Sequence, residues 1–114
     1  MKEFMFIIRG GEDKYSNNSP EEMQQHMQHW QQWMGGLAKS EQLIGGQPLM
    51  SEAKTLTEGG KKITDRPLAE GKELVGGYLL IKADSLDHAA QIAKGCPSFE
   101  YGCSVEVREI SPME

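Results

Sequence analysis

The sequence lacks the features that mark membrane, secreted and nucleic-acid-binding proteins. No apolar run approaches the roughly 18 residues of a membrane-spanning helix. The opening MKEFMFIIRGGED has one lysine before a short apolar run and acids directly after it, unlike a signal peptide. Basic residues are in the minority, and the net charge of -5 argues against nucleic acid as the main partner. We therefore expect a cytoplasmic protein with neither a membrane nor a nucleic acid as its partner.

Cysteine is scarce as well. Cys96 and Cys103 are the only two in the chain, and two thiols in a cytosolic domain do not make a disulfide framework. A metal site built on them would need further ligands, and His88 is the one candidate nearby in sequence. We interpret both thiols as small buried or half-buried side chains, and we expect neither a metal nor a cofactor.

The residues that are present describe one ordinary soluble domain covering residues 1–114. A hydrophobic share of 38% and a charged share of 25% are typical of globular proteins. A chain of 114 residues is long enough for a single core and too short for two.

Apolar and β-branched runs predict three long strands and three short ones. They lie at residues 3–9, 77–83 and 104–110, and at residues 42–44, 53–57 and 61–64. The turn Glu58-Gly59-Gly60 between the last two predicts a hairpin. Because Gly76 and Gly77 precede a strand and not a helix, we interpret them as a β-bulge or tight bend, not as a phosphate-binding loop.

Two helices are predicted, each after a serine. Ser19 can cap the first, the proline at position 20 suits the first helical position, and Glu22 completes a capping box. At about 100° per residue, this helix has a glutamine-rich side and a side that is predicted to pack. The packed side consists of Met23, His26, Met27, Trp30, Trp33, Met34, Leu37 and Ala38. The second helix follows Ser85, covers residues 86–94 and ends at Gly95.

Two adjacent glycines, Gly35 and Gly36, lie near the end of the first helix. Each weakens a helix by about 1 kcal/mol relative to alanine. We interpret the pair as a place where another backbone approaches the helix closely.

The order of these elements predicts the fold class. A strand followed by a Ser-capped helix occurs twice, which is the pattern of a split βαβ repeat. We therefore predict an α+β, ferredoxin-like sandwich with an antiparallel sheet and both helices on one face. The other face would be a large apolar patch, so we expect a second copy to cover it in a two-fold homodimer.

The stretch TDRPLAEGKELVGGYLLIKADSLDHAAQIAKGCP and the closing SVEVREI resemble the YCII-related family, and specifically its DGPF branch. The Asp-Gly-Pro-Phe motif of that branch stands here as Asp-Arg-Pro-Leu at residues 65–68, before Ala-Glu-Gly-Lys-Glu and Gly-Gly-Tyr. With the first strand and the first helix, the resemblance covers nearly the whole chain. Arg66 replaces a glycine that tolerates positive φ, and Leu68 replaces the aromatic residue, so the loop and any pocket it lines are expected to differ here.

The resemblance implies a dimeric α+β barrel, in which two sheets pair and enclose a cleft beside each first helix. The biochemical role of the family is largely unassigned. An active site made of a histidine and an aspartate has been proposed for YCII-like members, and related dimeric barrels include small-molecule enzymes. Some DGPF proteins are associated with extracytoplasmic-function sigma factors.

His26 is the sharpest candidate for chemistry, because it lies on the packed side of the helix, where a polar ring needs a hydrogen-bond partner. A histidine oriented by a carboxylate can act as a general base or acid. By analogy with the family's proposed pair, Asp65 is the predicted partner; the alternative is a core histidine without a catalytic role. We interpret His29 as a surface or interface residue, since a metal site made of both histidines and Trp33 lacks a clear third ligand.

Five further residues are predicted to contact a substrate: Trp30, Glu70, Lys72, Tyr78 and Arg108. Trp30 and Tyr78 would shape the cleft, and the charged residues would bind polar groups. The alternative for each charged residue is an ion pair or hydrogen bond within the protein.

Two classes of function stay open at this point. The first is a small-molecule enzyme of acid–base type, with His26 and Asp65 within hydrogen-bond reach at the mouth of a pocket. The second is a non-catalytic ligand-binding or regulatory module, with an apolar cleft and no convergent polar pair. Both involve an unidentified small molecule.

Overall fold

The computed structural model describes residues 1–11, 17–66 and 74–112. The elements in these ranges are β1 (Lys2–Arg9), α1 (Pro20–Lys39), β2 (Leu43–Pro48), β3 (Thr55–Thr57), β4 (Lys62–Thr64), β5 (Val75–Ala83), α2 (Leu86–Ala93), a 3₁₀ helix (Pro97–Tyr101) and β6 (Ser104–Glu109). The predicted order of strands and helices is confirmed, and the 3₁₀ helix is an addition to it. Within the described ranges, no helix combines the length and the apolar character needed to cross a bilayer.

Four strands form one antiparallel sheet in the order β2-β5-β1-β6. The first strand of each βα unit, β1 and β5, lies in the centre of this sheet, and β2 and β6 lie at its edges. The hairpin β3–β4 is a separate two-stranded sheet. This arrangement is that of a split βαβ repeat, so the predicted ferredoxin-like α+β fold is confirmed.

The start of α1 follows its predicted capping signal. The Ser19 hydroxyl accepts a hydrogen bond from the Glu22 backbone N–H at 3.1 Å, and the Ser19 backbone N–H donates to the Glu22 carboxylate at 3.4 Å. This reciprocal pair satisfies two N–H groups that a helix start would leave unpaired. The local sequence therefore determines where α1 begins.

The side of the sheet that faces both helices is the hydrophobic core. Alternate residues of β1 and β5 point to this side and are almost fully buried: Phe4, Phe6, Ile8, Leu79, Ile81 and Ala83. Helix α1 packs there through Trp33, whose ring centroid lies 6.5 Å from that of Phe6. Helix α2 contributes Ala89 and Ala93, whose small side chains let it lie close to the sheet. Both helices therefore cover one face, as predicted.

The opposite side of the sheet, which we call the open face, has no helix packed on it within the described chain. Its apolar centre consists of the half-buried side chains of Met5, Ile7, Tyr78 and Leu80, which face one another across β1 and β5. Charged residues border this centre, and Arg9 and Glu106 form an ion pair there at 3.2 Å. An apolar centre with a charged border is the composition of a protein–protein interface.

Glycines determine how β5 meets its neighbours. Strand β2 runs well beyond the predicted residues 42–44, and Gly46 lies so close to β5 that a Cβ atom there would be 2.6 Å from the Tyr78 carbonyl oxygen. In the β1–β5 ladder the register passes from Gly77 to Val75 and skips Gly76. The predicted bulge is therefore confirmed.

The interpretation of Gly35 and Gly36 as a site of close backbone approach is wrong. Both residues are exposed, and a Cβ atom built on either one meets no described atom within 4 Å. No described residue packs against either position, so glycine there costs helix stability without a gain in packing against the described part of the protein.

Replacing these glycines should therefore stabilise the protein. Gly35→Ala and Gly36→Ala should each raise the free energy of unfolding by about 0.5–1 kcal/mol, because alanine restricts the unfolded chain and favours the helix. Urea denaturation followed by circular dichroism measures the change. Gly46→Ala is the matched control and should lower the free energy of unfolding, because its Cβ atom would collide with β5. A loss of stability in Gly35→Ala would contradict the prediction.

Candidate functional site

In the described part of the structure, one cleft that could hold a small molecule lies between α1 and the 3₁₀ helix. Its volume is about 470 Å³, and its lining residues are His29, Gln32, Trp33, Gly95, Cys96, Pro97 and Glu100. Sites for small molecules commonly have volumes of roughly 300–1,000 Å³. The cleft is wide and largely open to solvent, its volume lies in this range, and its lining is both polar and apolar.

Helical periodicity explains which residues of α1 reach the cleft. His29, Gln32 and Trp33 are separated by three and four positions, so they lie on one side of the helix. Gly95 forms the opposite wall, where a Cβ atom would be 2.8 Å from Nε1 of Trp33. Only glycine lets the two walls come this close.

The carboxylate of Glu100 connects the 3₁₀ helix to two histidines of α1. Oε1 of Glu100 lies 3.0 Å from Nδ1 of His26, and Oε2 lies 2.6 Å from Nδ1 of His29. The same His29 nitrogen is 2.9 Å from Oε1 of Glu100. Because a carboxylate is an acceptor, each imidazole donates from Nδ1 to it. Glu100 thus holds two histidines that are three residues apart on α1.

His26 is buried and has contacts at both ring nitrogens and on one face of its ring. It is 3% exposed, and its Nε2 accepts a hydrogen bond from Nε1–H of Trp30 at 2.9 Å. The Tyr101 ring stacks on the imidazole with a centroid distance of 3.9 Å and an interplanar angle of 13°. Since an indole nitrogen can only donate, Nε2 of His26 carries no proton in this arrangement. His26 is therefore the neutral tautomer protonated at Nδ1.

The two histidines change the acidity of Glu100. Burial raises the pKa of its carboxyl group, but the hydrogen bonds that His26 and His29 donate, together with the electrostatic attraction of the two imidazole rings, lower it by more. The net effect is a pKa below the ordinary value of 4.5. Glu100 is therefore ionised at neutral pH and available as an acceptor.

The pKa of the Cys96 thiol, which lines the cleft, is shifted upward, whereas that of Glu100 is shifted downward. Burial raises the pKa of Cys96, and hydrogen bonding to Ser98, whose Oγ lies 3.0 Å from the sulfur, offsets only part of this rise. A thiol that stays protonated is a weak nucleophile. Cys96 therefore lacks the lowered pKa that is typical of a nucleophilic cysteine.

The residues predicted for the site are distributed over three regions. His26 and Trp30 lie together beside the cleft, whereas Tyr78 and Arg108 lie on the open face. Asp65 follows β4, and its exposed carboxylate pairs with Nζ of Lys54 at 2.5 Å. Among the described residues, Glu100 has a carboxylate within hydrogen-bond distance of His26. The predicted catalytic role of Asp65 stays a prediction.

Glu70 and Lys72, the two remaining predicted substrate contacts, lie outside the described residues. Among the residues that the structure does describe, no group of three or more His, Cys, Asp or Glu side chains is arranged to hold a metal ion.

Sequence reasoning missed Glu100 and Tyr101. A local signal for their element exists, since Pro97 begins the 3₁₀ helix and Gly102, with φ of 73°, ends it. That pattern predicts a helical turn that carries both side chains. It gives no sign that the turn meets His26, which is 74 residues earlier in the chain.

The lowered pKa of Glu100 predicts an acid-dependent loss of stability. Because the folded pKa lies below the ordinary value, the unfolded chain binds this proton more readily than the folded one. The stabilisation is complete above about pH 4.5 and is lost as the pH falls through the folded pKa. Urea denaturation at a series of pH values should show that wild type and Glu100→Gln differ most near neutrality and converge in acid.

A matched variant checks the cause of this effect. Replacing both histidines by side chains without a donor, as in His26→Phe with His29→Leu, removes the two hydrogen bonds, so the pKa of Glu100 should return toward its ordinary value. A constant difference between wild type and Glu100→Gln from pH 7 to pH 3 would contradict the assignment.

Comparison with known proteins places the chain in a family. Residues 3–114 match the YCII-related domain, and no curated protein matches the chain. A similar solved structure is 5-chloro-2-hydroxyhydroquinone dehydrochlorinase (TftG) from Burkholderia phenoliruptrix AC1100 in complex with 2,5-dihydroxybenzoquinone, with a TM-score of 0.47 and 16% identity, covering 96% of this chain and 93% of that chain. The narrower assignment to the DGPF branch stays a prediction. Because the family match extends over all but the first two residues, this protein belongs to the YCII-related family.

Proposed function

We propose that this YCII-related protein is an enzyme that moves protons on a small molecule bound in the cleft between α1 and the 3₁₀ helix. The observation that carries the proposal is the Glu100 carboxylate, which lies within hydrogen-bond distance of two imidazoles at the edge of the cleft. A histidine oriented by a carboxylate is a common unit of general acid–base catalysis, because imidazole exchanges protons near neutral pH.

The lining of the cleft supports distinct tasks for its residues. Glu100 orients the imidazoles and balances the positive charge that an imidazole gains with a proton. Trp33 offers an apolar wall, and the amide of Gln32 can donate and accept hydrogen bonds. The ligand that fits this lining is a small molecule with an apolar part and at least one polar, proton-bearing group.

In this proposal Glu100 takes the orienting role that the sequence assigned to Asp65. The family resemblance still predicts a functional role for Asp65. Its ion pair with Lys54 on the β3–β4 hairpin supports a local structural role instead. Asp65→Asn therefore belongs in the same experiment as a comparison.

The second class of function, a non-catalytic ligand-binding or regulatory module, would use the same cleft without proton transfer. One observation favours it: His26 is buried and both of its ring nitrogens have partners. A histidine that is satisfied in this way needs no catalytic duty. An experiment that measures both binding and turnover separates the two classes.

A thermal-shift screen against small metabolites, followed by NMR of the hits in D₂O, provides this measurement. Wild type should be stabilised by at least one compound, by about 2.7 kcal/mol at a hundredfold excess over the dissociation constant. It should also exchange a proton of that compound for deuterium or convert the compound into a product. Glu100→Gln should lower the rate by about 10²–10⁴-fold, the usual contribution of acid–base catalysis.

Asp65→Asn should keep both the binding and the rate if Glu100 is the orienting carboxylate. Binding without exchange or conversion in wild type would favour the regulatory module. An unchanged rate in Glu100→Gln would remove this carboxylate from the mechanism.

We also propose that the protein works as a homodimer joined through the open face. A half-buried apolar centre with a charged border supports this pairing, because a second copy would bring the same apolar residues against one another around a two-fold axis. The family resemblance implies the same arrangement.

The dimer proposal predicts that a charge in the centre of the open face separates the subunits. Leu80→Glu should shift the molar mass from that of a dimer toward that of a monomer, as measured by light scattering during size-exclusion chromatography. Leu86→Glu, at a position that is 52% exposed on α2, is the control and should stay dimeric. A dimeric Leu80→Glu, or a monomeric wild type, would contradict the proposed interface.

A further inference from the structure

We infer that His29, not His26, is the group that exchanges a proton with the ligand, and that His26 is a positioning residue that acts through Glu100. This inference rests on the proposed acid–base function and divides its chemistry between the two histidines. It assigns a catalytic role to a residue that the sequence pattern alone marked as surface.

His29 has the geometry of an oriented base. Its Nδ1 donates to Glu100 and is closest to Oε2, at 2.6 Å. With the proton on Nδ1, the lone pair of the neutral ring is on Nε2. The His29 side chain is 44% exposed and lines the cleft, and none of the described residues donates a hydrogen bond to its Nε2. The basic nitrogen is therefore accessible from the side where a ligand would bind.

His26 has the same carboxylate partner and the opposite accessibility. Its side chain is 2% exposed. Its basic nitrogen, Nε2, is occupied by the Trp30 indole N–H at 2.9 Å. A proton could reach that nitrogen only after this hydrogen bond breaks. The imidazole of His26 thus supplies a fixed N–H donor, which holds Oε1 of Glu100 while Oε2 holds His29.

The chemistry that follows is a single reversible proton transfer. Nε2 of His29 takes a proton from a C–H, N–H or O–H group of the ligand, whose electron pair stays on the ligand. The imidazolium that forms is stabilised by the ionised carboxylate of Glu100. The same nitrogen returns the proton to another atom of the ligand or to water. No further reactant is needed.

The tautomers of the three histidines test the geometry without any substrate. Long-range ¹H–¹⁵N correlation spectra, assigned with single His→Gln variants, should show His26 and His29 protonated at Nδ1. His88 is the internal control: its Nδ1 accepts from the Asp84 backbone N–H at 3.0 Å, so its neutral ring should be protonated at Nε2. Glu100→Ala should move His29 toward the Nε2–H tautomer. A His29 ring protonated at Nε2 in wild type would overturn the inference.

A reactive probe tests which nitrogen is accessible. With 4-nitrophenyl acetate, an unprotonated imidazole nitrogen attacks the ester carbonyl and 4-nitrophenolate leaves. Water then hydrolyses the acyl-imidazole to acetate and restores the ring. His29→Gln should reduce the release of 4-nitrophenolate at least 10-fold, and His88→Gln should change it less than 2-fold.

Trp30→Phe keeps His26 in place and removes only the indole donor, so it guards against a folding defect in His26→Gln. In Trp30→Phe, the tautomer signals of His26 should change and those of His29 should stay as in wild type. Release that depends on His26 and survives His29→Gln would overturn the division of roles. If no metabolite is converted, the proposed enzyme function is contradicted. The tautomer spectra and the release of 4-nitrophenolate would still test the division of roles between the two histidines.

Discussion

The carboxylate of Glu100 is the contact on which the arrangement of the candidate site depends. It receives hydrogen bonds from two imidazoles that lie 74 and 71 residues away in sequence. Hydrogen bonds to an ionised acceptor are stronger than neutral ones, and two donors hold both oxygens of one group. The 3₁₀ helix is thereby fastened to α1, and the cleft between them acquires a defined wall. The Tyr101 ring, from the same helical turn, stacks on His26 and adds a second contact between the 3₁₀ helix and α1.

Two histidines three residues apart on one helix have thus come to occupy different environments. His26 is buried, stacked and hydrogen-bonded at both nitrogens, whereas His29 shares the same carboxylate and faces the cleft. Networks in which every polar group is satisfied are rigid, because each member would lose a partner on moving. The buried part of this network consists of His26 and Tyr101, and the exposed part, His29 and Glu100, lines the cleft. That division lets a buried histidine position a carboxylate for a second histidine that a ligand can reach.

Local patterns predicted most of the secondary structure, because the forces that start and stop these elements act between near neighbours. The capping box at Ser19, the bulge at Gly76 and the hairpin turn around Gly59 each depend on residues within a few positions. The apolar and β-branched runs likewise predicted β1 and β5 as long strands. The pair Gly35 and Gly36 was misread because the absence of a side chain permits a close approach without requiring one.

The sequence by itself determined the order of the helices and strands, the α+β class and the place of His26 on the packed side of α1. Only the tertiary structure brought the Glu100 carboxylate to that histidine. The family resemblance pointed to Asp65, and nothing in the sequence pointed to Glu100, although both are acids in turns next to a strand. Packing of Trp33 against Gly95 brings the 3₁₀ helix to α1, while the hairpin holds Asp65 beside Lys54. Contacts between distant residues depend on how whole elements pack, and no spacing along the chain encodes that distance.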